Sequence, residues 1–391
     1  MAIGGAYRLA VLLASILIGL AASMPTPMAG ADAIVCDWSN RFPHFPSPDR
    51  LMRLARGFNL PNWDAAEPER RPDTATLSAL RQRGFSHIRL PVFHDGFSHG
   101  DLAGAAVSAY VEQLTATISD LNRRGFLVSV DLHPDAAMNA LYRADPERGL
   151  ARLEAIWRAL AARLSGFGAD SIVLEALNEP DTDAATWERH GTALARLLRR
   201  LFPHHTIILG PSGAQRFEDL QNVPEIRDQN IVYAVHFYDP FLFTHQGADW
   251  LSDNDPIRYF RHLPFPMAFE DEAVQLLYKM LLAEGRLHAA ETLRMELKTP
   301  WGIGDIDEAF ERMRDWSVAN ARPLIINEFG VLADHAPRIA RLTWLKTIAD
   351  KAEKNCFAWT HWDYSDGFGF VDAATQTADE AILKMLLQNV E

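Results

Sequence analysis

Two glutamates stand where acid–base and nucleophilic chemistry could occur. Glu179 closes the run Leu174-Glu175-Ala176-Leu177-Asn178-Glu179-Pro180, and Glu328 sits in Leu324-Ile325-Ile326-Asn327-Glu328-Phe329-Gly330. Each follows an apolar stretch and an Asn. Two carboxylates facing each other across a cleft suit the breaking of a glycosidic bond, where one group must stay protonated while the other is ionised. Either glutamate alone is as easily a helix cap or an arginine partner; Asn-Glu at two strand ends is what argues for chemistry. A gap of about 5 Å would leave no room for a water between them and would impose a two-step, retaining reaction.

Such residues need a scaffold that brings distant segments together. Apolar runs of strand character lie at 54–60, 85–92, 126–132, 171–177, 206–209, 230–235, 324–327 and 357–362. Between them the apolar period becomes 3.6, at 105–124, 150–164, 184–201, 306–320, 339–354 and 379–387. This alternation predicts an α/β fold, a closed (β/α)8 TIM barrel, as a single catalytic domain over 32–391. An open doubly wound sheet is the competitor, but no Gly-rich phosphate loop follows the first strand. A barrel keeps its chemistry where strands end. The polar residues just after the apolar runs are therefore the candidates: Asn59, Asn62, Arg89, His133, Asn178, Glu179, His236, Tyr238, Glu328 and Trp362. One connection, 239–304, is too long for the rhythm. Within it, 263–300 reads as a helical insertion after strand six, expected at the cleft rim, with two Leu- and Met-rich pieces split at Gly285.

Composition narrows the partners. The 391 residues include 38 Lys+Arg and 51 Asp+Glu, a formal charge of −13. Nucleic acid and anionic membrane surfaces are excluded as partners, since both demand a basic face. Two cysteines make neither a disulfide scaffold nor a Cys-rich zinc site. Cys36 precedes strand one and Cys356 opens strand eight; these strands are neighbours in a closed barrel, so the pair is a disulfide candidate in an oxidising compartment. Residues 1–31 combine Arg8, an apolar run at 9–22 and a small-residue stretch ending Ala31-Asp32-Ala33. That is the pattern of a cleaved signal peptide, and the run is short of the roughly 20 residues that span a bilayer. The mature chain is expected to be secreted or periplasmic, free of the membrane, and monomeric.

The motifs resemble glycoside hydrolase family 5, the (β/α)8 cellulases. Asn178-Glu179-Pro180 looks like that family's acid/base signature on strand four, and Ile326-Asn327-Glu328-Phe329-Gly330 like its nucleophile signature on strand seven. The segment 236–250, from His236-Phe237-Tyr238 to Trp250, and the segment Trp359-Thr360-His361-Trp362-Asp363-Tyr364-Ser365-Asp366-Gly367-Phe368-Gly369 are similar to bacterial endoglucanases of the family. The resemblance implies that Glu179 protonates the leaving oxygen and later deprotonates water, while Glu328 attacks the anomeric carbon. It implies that Arg89 and Tyr238 keep Glu328 ionised and aligned, and that Asn178 binds the sugar 2-hydroxyl. His133 and His236 would bind hydroxyls or orient the glutamates, and Trp362 would be the stacking floor. The nearby carboxylate is expected to raise the pKa of Glu179. Trp63 and Trp250 are further stacking candidates. Many relatives carry a second histidine after the one on strand three; here Pro134 follows His133, which puts contacts beyond the central sugar in question.

The implied substrate is a polysaccharide or oligosaccharide of the cellulose-like β-1,4-glucan class, cut internally, with no cofactor and no metal. The same chemistry could act on mannan, mixed-linkage glucan or β-1,3-glucan. Two other classes compete. A metal-dependent barrel hydrolase needs clustered ligands, and neither His133 nor His236 has a His-x-His partner. A catalytically inactive glycan-binding barrel would retain the platforms without needing both glutamates.

Overall fold

The computed structural model describes residues 36–67 and 70–387. The expected signal peptide at 1–31 lies outside them. Eight parallel strands close into one barrel in sequence order: β1 (Arg56–Asn59), β2 (His87–Val92), β3 (Leu127–Leu132), β4 (Ile172–Glu175), β5 (Ile207–Leu209), β6 (Ile231–His236), β7 (Leu324–Glu328) and β8 (Ala358–His361). Strand β8 returns to β1 through the register Gly57↔Thr360. These strands are covered on both faces, which is why they read as continuous apolar runs rather than alternating ones. Leu127, Val173, Ile208, Val232, Ala234 and Ile325 fill the lower barrel interior. Trp38, Phe42, Phe45, Leu51 and Leu54 close it from below, and the Cys36–Cys356 disulfide, Cα atoms 5.5 Å apart, ties this plug to the start of β8.

Helices form the outer ring, and aspartates start several of them. Asp73 caps Thr74–Gln82, Asp135 caps Ala136–Ala144, Asp145 caps Pro146–Leu164 and Asp183 caps Ala184–Leu201, each side chain accepting a backbone N–H of the first turn. The ring continues with Ala105–Arg123, Ile303–Asn320, Arg338–Lys354 and Glu380–Leu386. The crossover from β5 to β6 is only a 3-10 segment, Phe217–Asn222.

The segment after β6 forms a helical hairpin, Glu272–Ala283 and Leu287–Glu296, with Gly285 at φ +71° in the turn. An antiparallel bridge between Met267 and Trp301 pinches its base. Arg286 lies 3.7 Å above the Tyr259 ring, and Phe265 packs on Phe243, so the hairpin leans on the loop that follows β6.

One irregularity bears on the site. Along β6 and β7, Val235 pairs with Ile326 but His236 pairs with Glu328, which leaves Asn327 as an extra residue. A bulge of this kind re-aims the side chains that follow it.

Candidate active site

Arg89 is the centre of the upper barrel. It rises from β2 with no exposed surface. Its Nε and Nη2 donate to Glu175 at 2.7 and 2.9 Å, and Nη1 donates to Glu328 Oε1 at 2.7 Å and to Asn59 Oδ1 at 2.9 Å. Nη2 also donates to Asn178 Oδ1 at 2.8 Å and lies 3.0 Å from Asp131 Oδ2. Burial by itself would lower the Arg89 pKa; Asp131, Glu175 and Glu328 override it and hold the guanidinium well above its ordinary value. Asn327 donates to Glu175 Oε1 at 2.8 Å, which is where the bulge sends it.

Above Arg89 the two glutamates converge. Tyr238 donates its hydroxyl to Glu328 Oε2 at 3.0 Å, so both oxygens of Glu328 accept a hydrogen bond. His236 Nδ1 lies 2.8 Å from Glu179 Oε1 and 3.4 Å from Glu328 Oε2. An oxygen of each carboxylate and a nitrogen of His236 fall within 4.8 Å of one another. That separation admits no water between the carboxylates and matches the retaining geometry of about 5 Å. Burial pushes the His236 pKa down to about 4, against the pull of Glu328, so the imidazole is neutral at ordinary pH. Burial raises the Tyr238 pKa far above its usual value, helped by Glu328 and Glu179, and the phenol stays a donor.

Glu179 differs from Glu328 in surroundings. Its side chain is 40% exposed at the mouth of the cleft, whereas that of Glu328 is buried. Enclosure by the cleft walls raises its pKa; His133 and Arg89 oppose this, and Asp181 adds to it. Burial, rather than a neighbouring carboxylate, is the largest cause of the shift. The residue sits at φ +40°, a left-handed conformation that costs a non-glycine residue about 1–3 kcal/mol and gathers at functional sites.

The cavity holds about 420 Å³ and is lined by His133, Asn178, Glu179, His236, Tyr238, Trp250, Glu328 and Trp362, together with Ala214, Arg216, Asp239, Phe241, His245 and Phe368. Trp362 stands stacked beside His133, rings 5.8 Å apart and 19° from parallel. His133 Nδ1 lies 2.8 Å from Asp131 Oδ2, which leaves Nε2 toward Asn178. Trp250 is 58% exposed and packs edgewise on His245, so it offers a free ring face at the rim.

Two expectations need correction. Trp63 is no platform: it is 3% exposed, packs on Tyr110, and spends its indole N–H on Pro91 O at 2.8 Å. The short 3-10 turn Pro61–Asp64 folds it into the core beside β2. The insertion 263–300 contributes none of the residues that line the cavity; that wall is made by Phe241, His245 and Trp250, and the hairpin stands behind them. Asn59, a candidate from its place at a strand end, is in the site as a partner of Arg89, and residues not singled out from sequence also belong to it, namely Asp131, Glu175, Gln215, His245 and Phe368. Asp131 and Glu175 carried a usable signal, since each is a charge inside an otherwise apolar strand and they are cross-strand partners.

Glu179, His236 and Glu328 are close enough to grip one metal ion. The donor set fits poorly, because both Glu328 oxygens already accept hydrogen bonds and the Arg89 guanidinium would repel a second cation.

Known proteins share this framework. A family model described as Cellulase (glycosyl hydrolase family 5) matches residues 54–367. The chain is 25% identical over 354 residues to Endoglucanase 3 of Fibrobacter succinogenes, which covers 84% of this chain and 52% of that protein; the chain thus spans about half the length of that relative. It is 25% identical over 283 residues to Cellodextrinase A of Ruminococcus flavefaciens, covering 68% of this chain and 81% of the relative. Among solved structures it resembles endoglucanase Cel5A from the hyperthermophilic Thermotoga maritima at 23% identity, with 86% and 98% of the two chains covered and a TM-score of 0.67. It also resembles the cellulose synthase subunit Z of Clostridioides difficile at 21% identity, with 85% and 99% covered and a TM-score of 0.66. At such identity the structures speak for the shared barrel.

Proposed function

The chain belongs to the cellulase family, glycosyl hydrolase family 5, whose members are retaining glycoside hydrolases, and from that premise we propose that it cuts internal β-1,4 bonds of cellulose-like glucans. The observation that carries the chemistry is the convergence of Glu179 and Glu328 within 4.8 Å, one at the cleft mouth with a raised pKa and one locked by Arg89 and Tyr238. Glu328 attacks the anomeric carbon while the Glu179 carboxyl gives its proton to the glycosidic oxygen. The bond to the leaving sugar breaks and a glycosyl ester forms on Glu328. Glu179, now a carboxylate, takes a proton from the incoming water, whose oxygen replaces Glu328 on the sugar. Arg89 and Tyr238 aim the Glu328 oxygens without taking or giving a proton. The Asn178 carbonyl is committed to Arg89 and one amide N–H points to His133 Nε2, so the second amide N–H is the one left to donate to the sugar 2-hydroxyl. The Trp362 ring suits the C–H face of a pyranose.

Neutral glucan is the favoured substrate because stacking faces and hydroxyl partners, not a basic surface, line the cavity. Export completes the proposal: the Cys36–Cys356 disulfide together with the leader pattern suits an oxidising compartment. The deciding experiment compares parent, Glu179→Ala and Glu328→Ala on an aryl β-cellobioside, then follows reducing ends on barley β-glucan, carboxymethylcellulose and mannan. The parent should cleave the cellobioside and release short oligosaccharides from the glucans before mannan, and Glu328→Ala should be inactive. Equal activity in all three proteins would sink the assignment, and faster release from mannan would move it to that substrate.

A further inference from the structure

The reaction just described leaves one fully buried polar side chain unused, although it touches the backbone of the acid. Gln215 follows β5 and has no exposed surface. Its Oε1 accepts the backbone N–H of Glu179 at 2.9 Å. Its own carbonyl accepts the backbone N–H of His236 at 2.9 Å, and His236 Nδ1 is the atom 2.8 Å from the Glu179 carboxyl. One residue therefore holds the main chain of the acid and the main chain of its imidazole neighbour.

The surroundings are built for this grip. Gly213, Ala214 and Gln215 all have positive φ, at +60°, +21° and +45°, and face Glu179 at +40°. Non-glycine residues rarely adopt this region, so each turn needs outside support. The two turns supply it to each other, since Gly213 N–H also donates to Pro180 O at 2.9 Å. A Cβ on Gly210 would fall 2.0 Å from Gln215 Nε2, so only glycine at the end of β5 leaves space for the side chain. Without the Gln215 oxygen the Glu179 N–H would lose its acceptor in an enclosed place, which the left-handed backbone could answer by turning.

We propose that Gln215 is a positioning residue for the general acid, setting the direction in which the Glu179 carboxyl meets the glycosidic oxygen. The inference rests on the retaining reading above. General acid catalysis needs the proton donor within hydrogen-bond reach of its target and contributes about 10²- to 10⁴-fold. An aglycone that departs without a proton is indifferent to that geometry. A residue that aims the acid therefore matters for poor leaving groups and not for good ones, whereas general damage to the fold affects both.

The test measures kcat/KM, which reports the glycosylation step, for phenyl β-cellobioside and 2,4-dinitrophenyl β-cellobioside. Gln215→Leu keeps the bulk and removes the acceptor. It should lower kcat/KM on the phenyl substrate by about tenfold or more while the dinitrophenyl value stays within about twofold. Gln215→Glu keeps an acceptor oxygen, so the parent's ratio between substrates should survive. Its new charge beside Glu179 should move the basic limb of the phenyl-substrate pH profile upward. An equal loss on both substrates in Gln215→Leu, no loss on either, or a lost ratio in Gln215→Glu would overturn the proposal. If Gln215→Leu does not fold, Gln215→Glu decides alone: a kept ratio with a raised basic limb supports it, and an unmoved limb overturns it. A parent inactive on both substrates would remove the retaining reading itself, whereas an active parent with contrary variants removes only the role of Gln215.

Discussion

A single guanidinium serves three carboxylates at the heart of the barrel. Arg89 contacts Asp131, Glu175 and Glu328 in a region with almost no solvent. The cluster is short of positive charge, and below about pH 7 Asp131 holds a proton. Burial pushes its pKa up to about 7; Glu179 adds to the rise, and Arg89 opposes it. The sign follows from linkage. Between the ordinary value of 3.8 and about 7 the folded chain keeps a proton that the unfolded chain has released, so this group makes stability fall as pH rises through that window. Asp131→Asn should remove that contribution, at most about 1.4 kcal/mol per pH unit, although the variant also loses an ion pair. Urea midpoints between pH 4.5 and 7 would report a shallower decline, and an unchanged slope would place the proton on another member of the cluster. Glu179 and Glu328 were legible from sequence because each ends a recognisable run with an Asn before it. Asp131 and Glu175 stood in equally plain view, but a buried charge takes its meaning from its partner, and that partner is set by strand order. Gln215 left no trace in the sequence at all: its role depends on a left-handed turn.

Strands and most helices were readable because burial on two faces and burial on one face leave different apolar periods. The readings failed where local chemistry outweighs period. The helix Pro146–Leu164 begins four residues before the pattern at 150–164, because Asp145 caps it and Pro146 occupies its first position, where a missing N–H costs nothing. Trp63 and Trp250 both follow strands, yet the turn Pro61–Asp64 buries one ring and the loop after β6 exposes the other. Their substitutions should separate. Trp63→Ala empties a packed site and should cost about 3–5 kcal/mol of stability with KM for a soluble β-glucan almost unchanged. Trp250→Ala should leave the melting temperature near that of the parent and raise KM for longer cello-oligosaccharides. Thermal unfolding beside steady-state kinetics on both variants checks this, and a stable Trp63→Ala with raised KM would reverse the assignment. The insertion teaches a similar lesson: connection length announced an extra element, but only packing shows it braced through Phe265 on Phe243, behind the wall it was expected to form.

At the scale of the molecule, the barrel separates what holds it together from what it does. The Cys36–Cys356 bridge spans 320 residues of sequence and seals the lower end, while both glutamates stand at the upper end. Reduction, or Cys36→Ser, should lower stability by up to about 5 kcal/mol and leave kcat unchanged at temperatures where the chain stays folded. Denaturant unfolding with and without reductant measures the first, and initial rates measure the second. Net charge is the other property of the whole chain. A surface carrying −13 repels a polyanion at long range, and the repulsion is screened once the Debye length shrinks to about 8–10 Å near 0.1–0.15 M salt. The neutral glucan proposed as substrate would meet no such field, and rings and hydroxyl contacts of the kind that line the cavity are barely altered by salt. Raising salt from about 10 mM to about 150 mM should therefore increase kcat/KM on carboxymethylcellulose while the value on barley β-glucan stays flat. A parallel rise on both substrates would trace the effect to the enzyme's own structure instead. A fall on carboxymethylcellulose would mean that Arg216, at the cavity edge, recruits the substituted chain strongly enough to outweigh the acidic surface.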